Sequence, residues 1–338
     1  MRNPQTAVAI AIAISVAAAT PGPRAQEADF YKGRTINLYI GFSAGGYDLY
    51  GRIVGRHIGK HIPGKPDVVA QNMPGAGSIK LAHWLMEAAP KDGTAFGIID
   101  RGMFITPLVD PAQLKLDFSA YSWVGSVAQE TLLCVSRKEA RVKTFADLRE
   151  HELVAGGLSK GDISYTSAAV IKNMYGAKLR FVGGYPGGND ITLALERGEV
   201  DGRCAWSLSS VRSSRPSWLT DGSINLLVQY TMTRNPELPD TPSLAEFSDE
   251  KQKAIVRFLY APEAIARPFA APPGVPAARL KILRDAFMAT MKDPDFLAEA
   301  QKTGLDVAPT SGADLAATLK QIYATPPELI AQAKDVVK

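Results

Sequence analysis

The sequence predicts an α/β protein of two lobes with a ligand cleft between them, and three observations carry that reading. Strand-like and helix-like patterns alternate from residue 35 to about 230, as repeated βα units do. A glycine-rich turn occurs twice between a strand and a helix. The first copy is Gly41-Phe42-Ser43-Ala44-Gly45-Gly46-Tyr47-Asp48 and the second is Gly183-Gly184-Tyr185-Pro186-Gly187-Gly188-Asn189-Asp190. After Tyr230 the chain changes character and becomes punctuated by proline. A strand–glycine–helix turn aims backbone N–H groups and the positive end of a helix dipole at one point, which suits an anion. Paired glycines remove the Cβ atoms that would hold a ligand off the backbone. Two such turns, roughly 140 residues apart, predict two lobes closing on one acidic ligand.

The elements follow in order. Residues 35–40 read as a strand, 48–62 as a helix, 68–71 as a strand, 78–88 as a helix and 95–99 as a strand. Residues 121–136 read as two extended segments joined near Gln129, and Thr144 caps a short helix. Strand 153–155, helix 163–175, strand 179–182, helix 189–197 and strands 202–206 and 224–230 continue the alternation. Such repeats predict parallel sheets covered on both faces. Asn235 to Pro242 and Ala271 to Pro276 are connectors, and the remainder is expected to be helical. Leu283, Phe287 and Met291 share one helix face, and Leu315, Leu319, Ile322 and Tyr323 another. These helices are expected to pack onto the first lobe, which makes it discontinuous. The expected division is 29–128 and 231–338 for the first lobe and 129–230 for the second, with crossover strands near 128–132 and 228–234.

The opening of the chain predicts export. Arg2 supplies a positive start, Ala7 to Ala19 is apolar and uncharged, and Ala17 and Ala19, or Ala25 before Gln26, suit cleavage. Residues 1–25 are therefore expected to be a signal peptide, and the mature protein to be periplasmic. The full chain carries a net charge of +4, and loss of Arg2 and Arg24 takes it to about +2. With no Lys/Arg run, nucleic acid is excluded as a partner. Two cysteines, Cys134 and Cys204, are too few for a disulfide scaffold. A bond between them and two separately buried thiols both fit the sequence, and any pairing is expected to be dispensable for binding.

Several catalytic patterns fail on particular residues. Gly157-Leu158-Ser159-Lys160-Gly161 fits a nucleophile elbow, yet His57, His61, His83 and His151 all precede Ser159, where the triad order requires a later histidine. Gly59 to Lys65 has P-loop spacing, but Pro66 replaces the magnesium-binding hydroxyl and the run ends a helix. Lys80 stands where the third dinucleotide glycine belongs after Gly75-Ala76-Gly77. His57 and His61 lack a third metal ligand and read as partly exposed helix residues. No enzyme, metal or cofactor is expected. Asn72-Met73-Pro74-Gly75-Ala76-Gly77-Ser78 survives beside the two glycine turns, again between a strand and a helix. All three lie where α/β sheets bind ligands, at strand carboxyl ends.

With these motifs in order, the chain resembles the periplasmic solute-binding proteins of tripartite tricarboxylate transporters, the Bug receptor family, from about Tyr31 to the C-terminus. The resemblance rests on Ala44-Gly45-Gly46-Tyr47-Asp48, on Asn72 to Gly77 and on Asp92-Gly93-Thr94. It extends to Leu238-Pro239-Asp240-Thr241-Pro242-Ser243 with Glu246, and to Asp293-Pro294. It implies a two-lobed periplasmic-binding-protein-like fold. It also implies a small organic carboxylate held by backbone amides and bridging waters from Phe42–Asp48 and Tyr185–Asp190, then delivered to integral-membrane transporter subunits. Ser43, Ala44 and Tyr47 in the first turn, the Gly184–Asn189 stretch and Trp206 depart from the usual family residues. The ligand-binding candidates are Phe42, Ser43, Ala44, Gly45, Gly46, Tyr47, Asp48, Gly75, Gly77, Ser159, Tyr185, Pro186, Gly187, Gly188, Asn189, Asp190 and Trp206. Asp48, Asn189 and Asp190 read equally as helix caps. A periplasmic sensing module and an exported enzyme are the alternative functions.

Overall fold

Ile36, Leu38 and Ile40 alternate with less buried residues along β1, Thr35–Ile40, in a computed structural model that describes residues 29–338. The expected signal peptide lies outside the described residues. β1 sits between β2, Asp67–Asn72, and β3, Ala95–Ile98, pairing with both in parallel. Beyond β3 come β10, Pro268–Ala271, then β4, Ser122–Ser126, then the short β11, Thr310–Ser311, each antiparallel to its neighbour. The second sheet runs in the order β7, Leu179–Val182; β6, Leu153–Gly156; β8, Gly202–Ser207; β5, Leu132–Arg137; β9, Ile224–Gln229.

Both sheets are mixed, which corrects the expectation of parallel ones. The reason lies in the crossovers. Strands β1, β2, β3 and β4 of the first sheet end on the side facing the second sheet. β5 follows β4 across the gap through residues 127–131, so it starts at that facing edge and runs antiparallel to β8 and β9. β10 makes the return journey and likewise runs antiparallel to β3 and β4. The two connections lie side by side: Glu130 N–H donates to Glu263 O at 3.1 Å and Ala266 N–H to Ala128 O at 2.9 Å. β9 ends at Gln229 in the second sheet, so the return to the first is at Pro268, well beyond the 228–234 crossover expected from sequence.

The C-terminal third is not wholly helical, since β10 and β11 lie within it. Helix Ala277–Thr290 covers β4, with Arg284 Nε donating to Trp123 O at 2.8 Å. The last helix, Pro327–Val337, reaches the other sheet's helix Ile163–Tyr175, where Asn173 Nδ2 donates to Val336 O at 2.7 Å. Helix 48–62 of the sequence reading starts earlier, at Gly46, and ends at Ile58 before a 3₁₀ turn, Gly59–His61. Cys134 and Cys204 form a disulfide, contrary to the free-thiol option. A register shift between Leu133 and Val135 brings the two cysteines opposite each other on neighbouring strands. Among the described residues no helix is long and apolar enough to cross a membrane.

Candidate functional site

Both glycine turns stand at the strand ends that face the gap. Helix Gly46–Ile58 follows the first and Gly188–Glu196 the second, with Gly45 and Gly187 at the cap positions. Neither cap position carries a side chain, so Asp48, Asn189 and Asp190 are not caps. The two aspartates occupy the first helical turn, where a negative charge meets the positive dipole end. Asp48 also pairs with Arg52 at 3.0 Å and accepts from Asn72 Nδ2 at 2.6 Å.

The two turns do converge, and they touch. Ser43 N–H donates to Pro186 O at 3.2 Å, and Asn189 N–H donates to Ala44 O at 3.1 Å. Ser43 Oγ donates to Asp190 Oδ2 at 2.9 Å. Glycine is required by this approach of two backbones. A Cβ on Gly45, whose φ is 155°, would lie 3.0 Å from Gly188 N, and one on Gly187 would lie 2.8 Å from Ala44 O. Beneath the contact is a cavity of ≈ 50 Å³, enough for a few waters. Phe42, Ser43, Gly45, Gly46, Tyr47 and Gly188 line it together with Asp100, Arg101, Asp162, Arg203, Ser207, Ser210 and Arg267.

Other candidates fall into two adjoining cavities. Ala44, Asp48, Asn189 and Trp206 line one of ≈ 190 Å³, which shares Gly45, Gly46, Gly188 and Arg203 with the first. Gly75, Gly77, Ser159, Tyr185 and Pro186 line another of ≈ 590 Å³ on the far side of the second turn. Trp206 is only 1% exposed and packs edge-on against Trp218. Phe42 and Tyr47 stack at 4.3 Å between centroids. Ser159 N–H donates to Asp162 Oδ2 at 2.8 Å. His57 and His61 bond Glu299 and Asp293, and no group of three metal-ligating side chains occurs among the described residues.

The sequence reading missed the charges. Arg101 Nε donates to Glu263 Oε1 at 2.7 Å, Nη1 to Tyr47 Oη at 2.9 Å and Nη2 to Ser207 Oγ at 3.2 Å. Arg267 Nη2 donates to Glu130 Oε1 at 2.7 Å and Ser210 Oγ at 3.2 Å, with its guanidinium over the Tyr47 and Tyr50 rings. The Arg267–Glu130 pair joins the two connections, and the Arg101–Glu263 pair ties the turn after β3 to the second of them. Arg203 differs. Its Nη1 donates to Gly188 O at 2.9 Å and Thr192 Oγ1 at 3.2 Å, and the guanidinium lies over the Trp206 ring. Among the described residues no ion pair involves Arg203. Burial, opposed by Asp162 and aided by the Arg267 charge, pulls its pKa down to about 9. Burial first, and the Asp100 charge second, raise Asp162 to about 7. Burial also raises Asp100, and it lifts Glu263 to about 6 despite Arg101. The available signal was a charge inside or at the edge of an apolar strand: Arg203 in β8, Asp100-Arg101 after β3 and Arg267 before β10.

The family model described as tripartite tricarboxylate transporter family receptor matches residues 52–333. A protein of the TAR-I ttuE-ttuC' intergenic region of Agrobacterium vitis is 23% identical over 278 residues, which is 80% of this chain and 75% of that protein. Periplasmic binding protein BugD superposes with a TM-score of 0.72 at 19% identity, covering 90% of this chain and 98% of its own. MatC from Rhodopseudomonas palustris, with bound malate, gives 0.69 at 20% identity over 90% of this chain and 99% of that one. These likenesses bear out the two-lobed periplasmic-binding-protein-like fold.

Proposed function

The chain belongs to the tripartite tricarboxylate transporter family of receptors, and from that premise we propose that it captures a small organic carboxylate between its lobes in the periplasm and delivers it to the membrane subunits of such a transporter. The observation that carries this reading is the meeting of the two glycine turns. Two helix N-termini, at Gly46 and Gly188, open onto one small cavity lined by three guanidinium groups. Helix N-termini and guanidinium groups are the protein's natural partners for a carboxylate. The binding site is assigned to both turns, with Tyr47 and Phe42 against the ligand's carbon skeleton.

Binding requires movement. A cavity of ≈ 50 Å³ admits a few waters, so a ligand of several carbons enters only when the turns part. The contacts between Ser43 and Pro186 and between Ala44 and Asn189 are those that open. Residues 127–131 and 263–267, the paired connections, serve as the hinge. Closure then replaces turn-to-turn hydrogen bonds by turn-to-ligand ones. Malate is bound by the similar MatC, and it heads a panel of dicarboxylates, tricarboxylates and aromatic acids. A thermal-shift screen is expected to show a rise for at least one acid, since ligand at about 100 times Kd adds roughly 2.7 kcal/mol. A panel without a single rise, repeated by calorimetry, overturns the proposal.

A further inference from the structure

We propose that Arg203 is the charge partner of the ligand's carboxylate, so that the receptor selects a carboxylate by a true ion pair in addition to backbone dipoles. This rests on the carboxylate reading above and deepens it. The three guanidinium groups of the cavity are not equivalent. Arg101 is neutralised by Glu263 and Arg267 by Glu130, each at 2.7 Å. Arg203 lines both the ≈ 50 Å³ and the ≈ 190 Å³ cavities; Asp162 shares the first with it, but among the described residues no carboxylate lies within ion-pair distance of it. Removing a cation from water without an anion is costly, and proteins normally pair such a group.

Its geometry suits recognition. Nη1 is anchored on Gly188 O and Thr192 Oγ1, and the Trp206 ring supports the guanidinium face at 4.6 Å. Nε and Nη2 take no partner among the described residues, and Arg203 is half-buried at the cavity wall. Two donors on one edge of a fixed plane match a carboxylate bidentately. Its anchor, Gly188, is the first residue of helix Gly188–Glu196, so the ion pair and that helix's N-terminal amides reach the same anion. Trp206 thereby acts through Arg203, as the shelf beneath it.

Isothermal titration of the mature protein with malate and with uncharged malamide tests this. The wild-type protein is expected to bind malate and to reject malamide. Arg203→Met is expected to lose at least about thirtyfold in malate affinity. It is also expected to melt at an equal or higher temperature without ligand, because an unpaired cation has gone. Arg203→Lys keeps charge without the bidentate edge and is expected to fall between. If Arg203→Met fails to fold, Arg203→Gln, which retains a donor for Gly188 O, takes its place. Malate affinity within threefold of wild type in a folded variant overturns the inference. So does a lowered melting temperature with affinity retained, which marks Arg203 as a post for Gly188 and Thr192. Should the wild type bind no acid, the carboxylate reading falls alone, and sulfate decides on Arg203. Sulfate-dependent stabilisation lost in Arg203→Met supports the anion site, and equal stabilisation overturns it.

Discussion

Gly46 and Gly188 look interchangeable in the sequence, yet their surroundings differ. A Cβ at Gly46 would stand 2.1 Å from Ser210 Oγ and 3.4 Å from Arg267 Nη2, inside the buried charge network. At Gly188 it would stand 3.0 Å from Arg203 Nη2, a single side-chain end at the cavity wall. Gly46→Val and Gly188→Val are each expected to cost at least about tenfold in ligand affinity, near 1.4 kcal/mol, with the protein still folded. The loss is expected to be larger for Gly46→Val, because Ser210 and Arg267 have less room to move. Calorimetry on monodisperse variants checks both the loss and the order. A second residue-scale expectation concerns Ala205, which holds φ at 58° within β8 beside Arg203 and Trp206. A left-handed non-glycine residue carries strain of about 1–2 kcal/mol. Ala205→Gly is therefore expected to raise stability by about 0.5–1 kcal/mol once glycine's extra chain entropy is subtracted. Denaturant titration reads the sign, and a destabilised variant removes the idea of strain there.

At the scale of elements, the disulfide ties β5 to β8, the strand carrying Arg203, and closes a loop of sequence separation 70. Opening it with Cys134→Ala and Cys204→Ala is expected to cost about 2–4 kcal/mol of stability, through freer unfolded chains. Melting of the double variant in the presence and absence of reductant measures this, with reductant expected to affect only the wild type. Ligand affinity is expected to survive, since the Leu133–Trp206 and Val135–Arg203 pairings hold β8 in place independently. Element types were largely legible. Helix Ile163–Tyr175 and strand Leu179–Val182 stand where the periodicity places them. What periodicity does not report is strand direction. β5 and β10 have ordinary apolar sequences, and they run against their neighbours only because the chain enters them from the other sheet.

For the whole molecule, the buried acids give stability a pH dependence. Asp162 is raised to about 7 and Glu263 to about 6, each chiefly by burial. A raised pKa contributes stability that is fully present below the unfolded-state value and is lost as pH rises through the folded-state one. The melting temperature without ligand is therefore expected to fall as pH rises from about 4.5 to 7.5. Glu246 acts oppositely, held down to about 2 by Arg234, and its contribution is lost only below the ordinary carboxylate range. Asp162→Asn is expected to flatten the upper part of the profile, and an unchanged slope between about pH 6 and 7.5 excludes Asp162 as its source. The proposed lobe motion belongs to the same scale. Arg212 on helix Leu208–Ser214, which follows β8, pairs with Asp306, which follows helix Pro294–Lys302 and precedes β11, so an ion pair bridges elements of the two sheets. Asp306→Asn is expected to loosen the closed form and to shift small-angle scattering toward a larger radius of gyration in the absence of ligand.

The two-lobed α/β architecture, the two glycine turns and their place at strand ends are all legible in the amino-acid sequence. Each of these is written locally, in side-chain period, in turn chemistry and in residues that lack a Cβ. The ordered motifs from Ala44 to Pro294 also sufficed for the family. Which charges share one cavity emerges only with the folded arrangement. Asp100-Arg101, Asp162, Arg203 and Arg267 come from four places in the chain, and no spacing rule relates those places. Their partners were equally out of reach, since Arg101–Glu263 and Arg267–Glu130 join residues far apart in sequence. Electrostatics acts through space and depends on burial, so a cation outside any ion pair is recognised as such only when the fold has fixed the distance to every carboxylate.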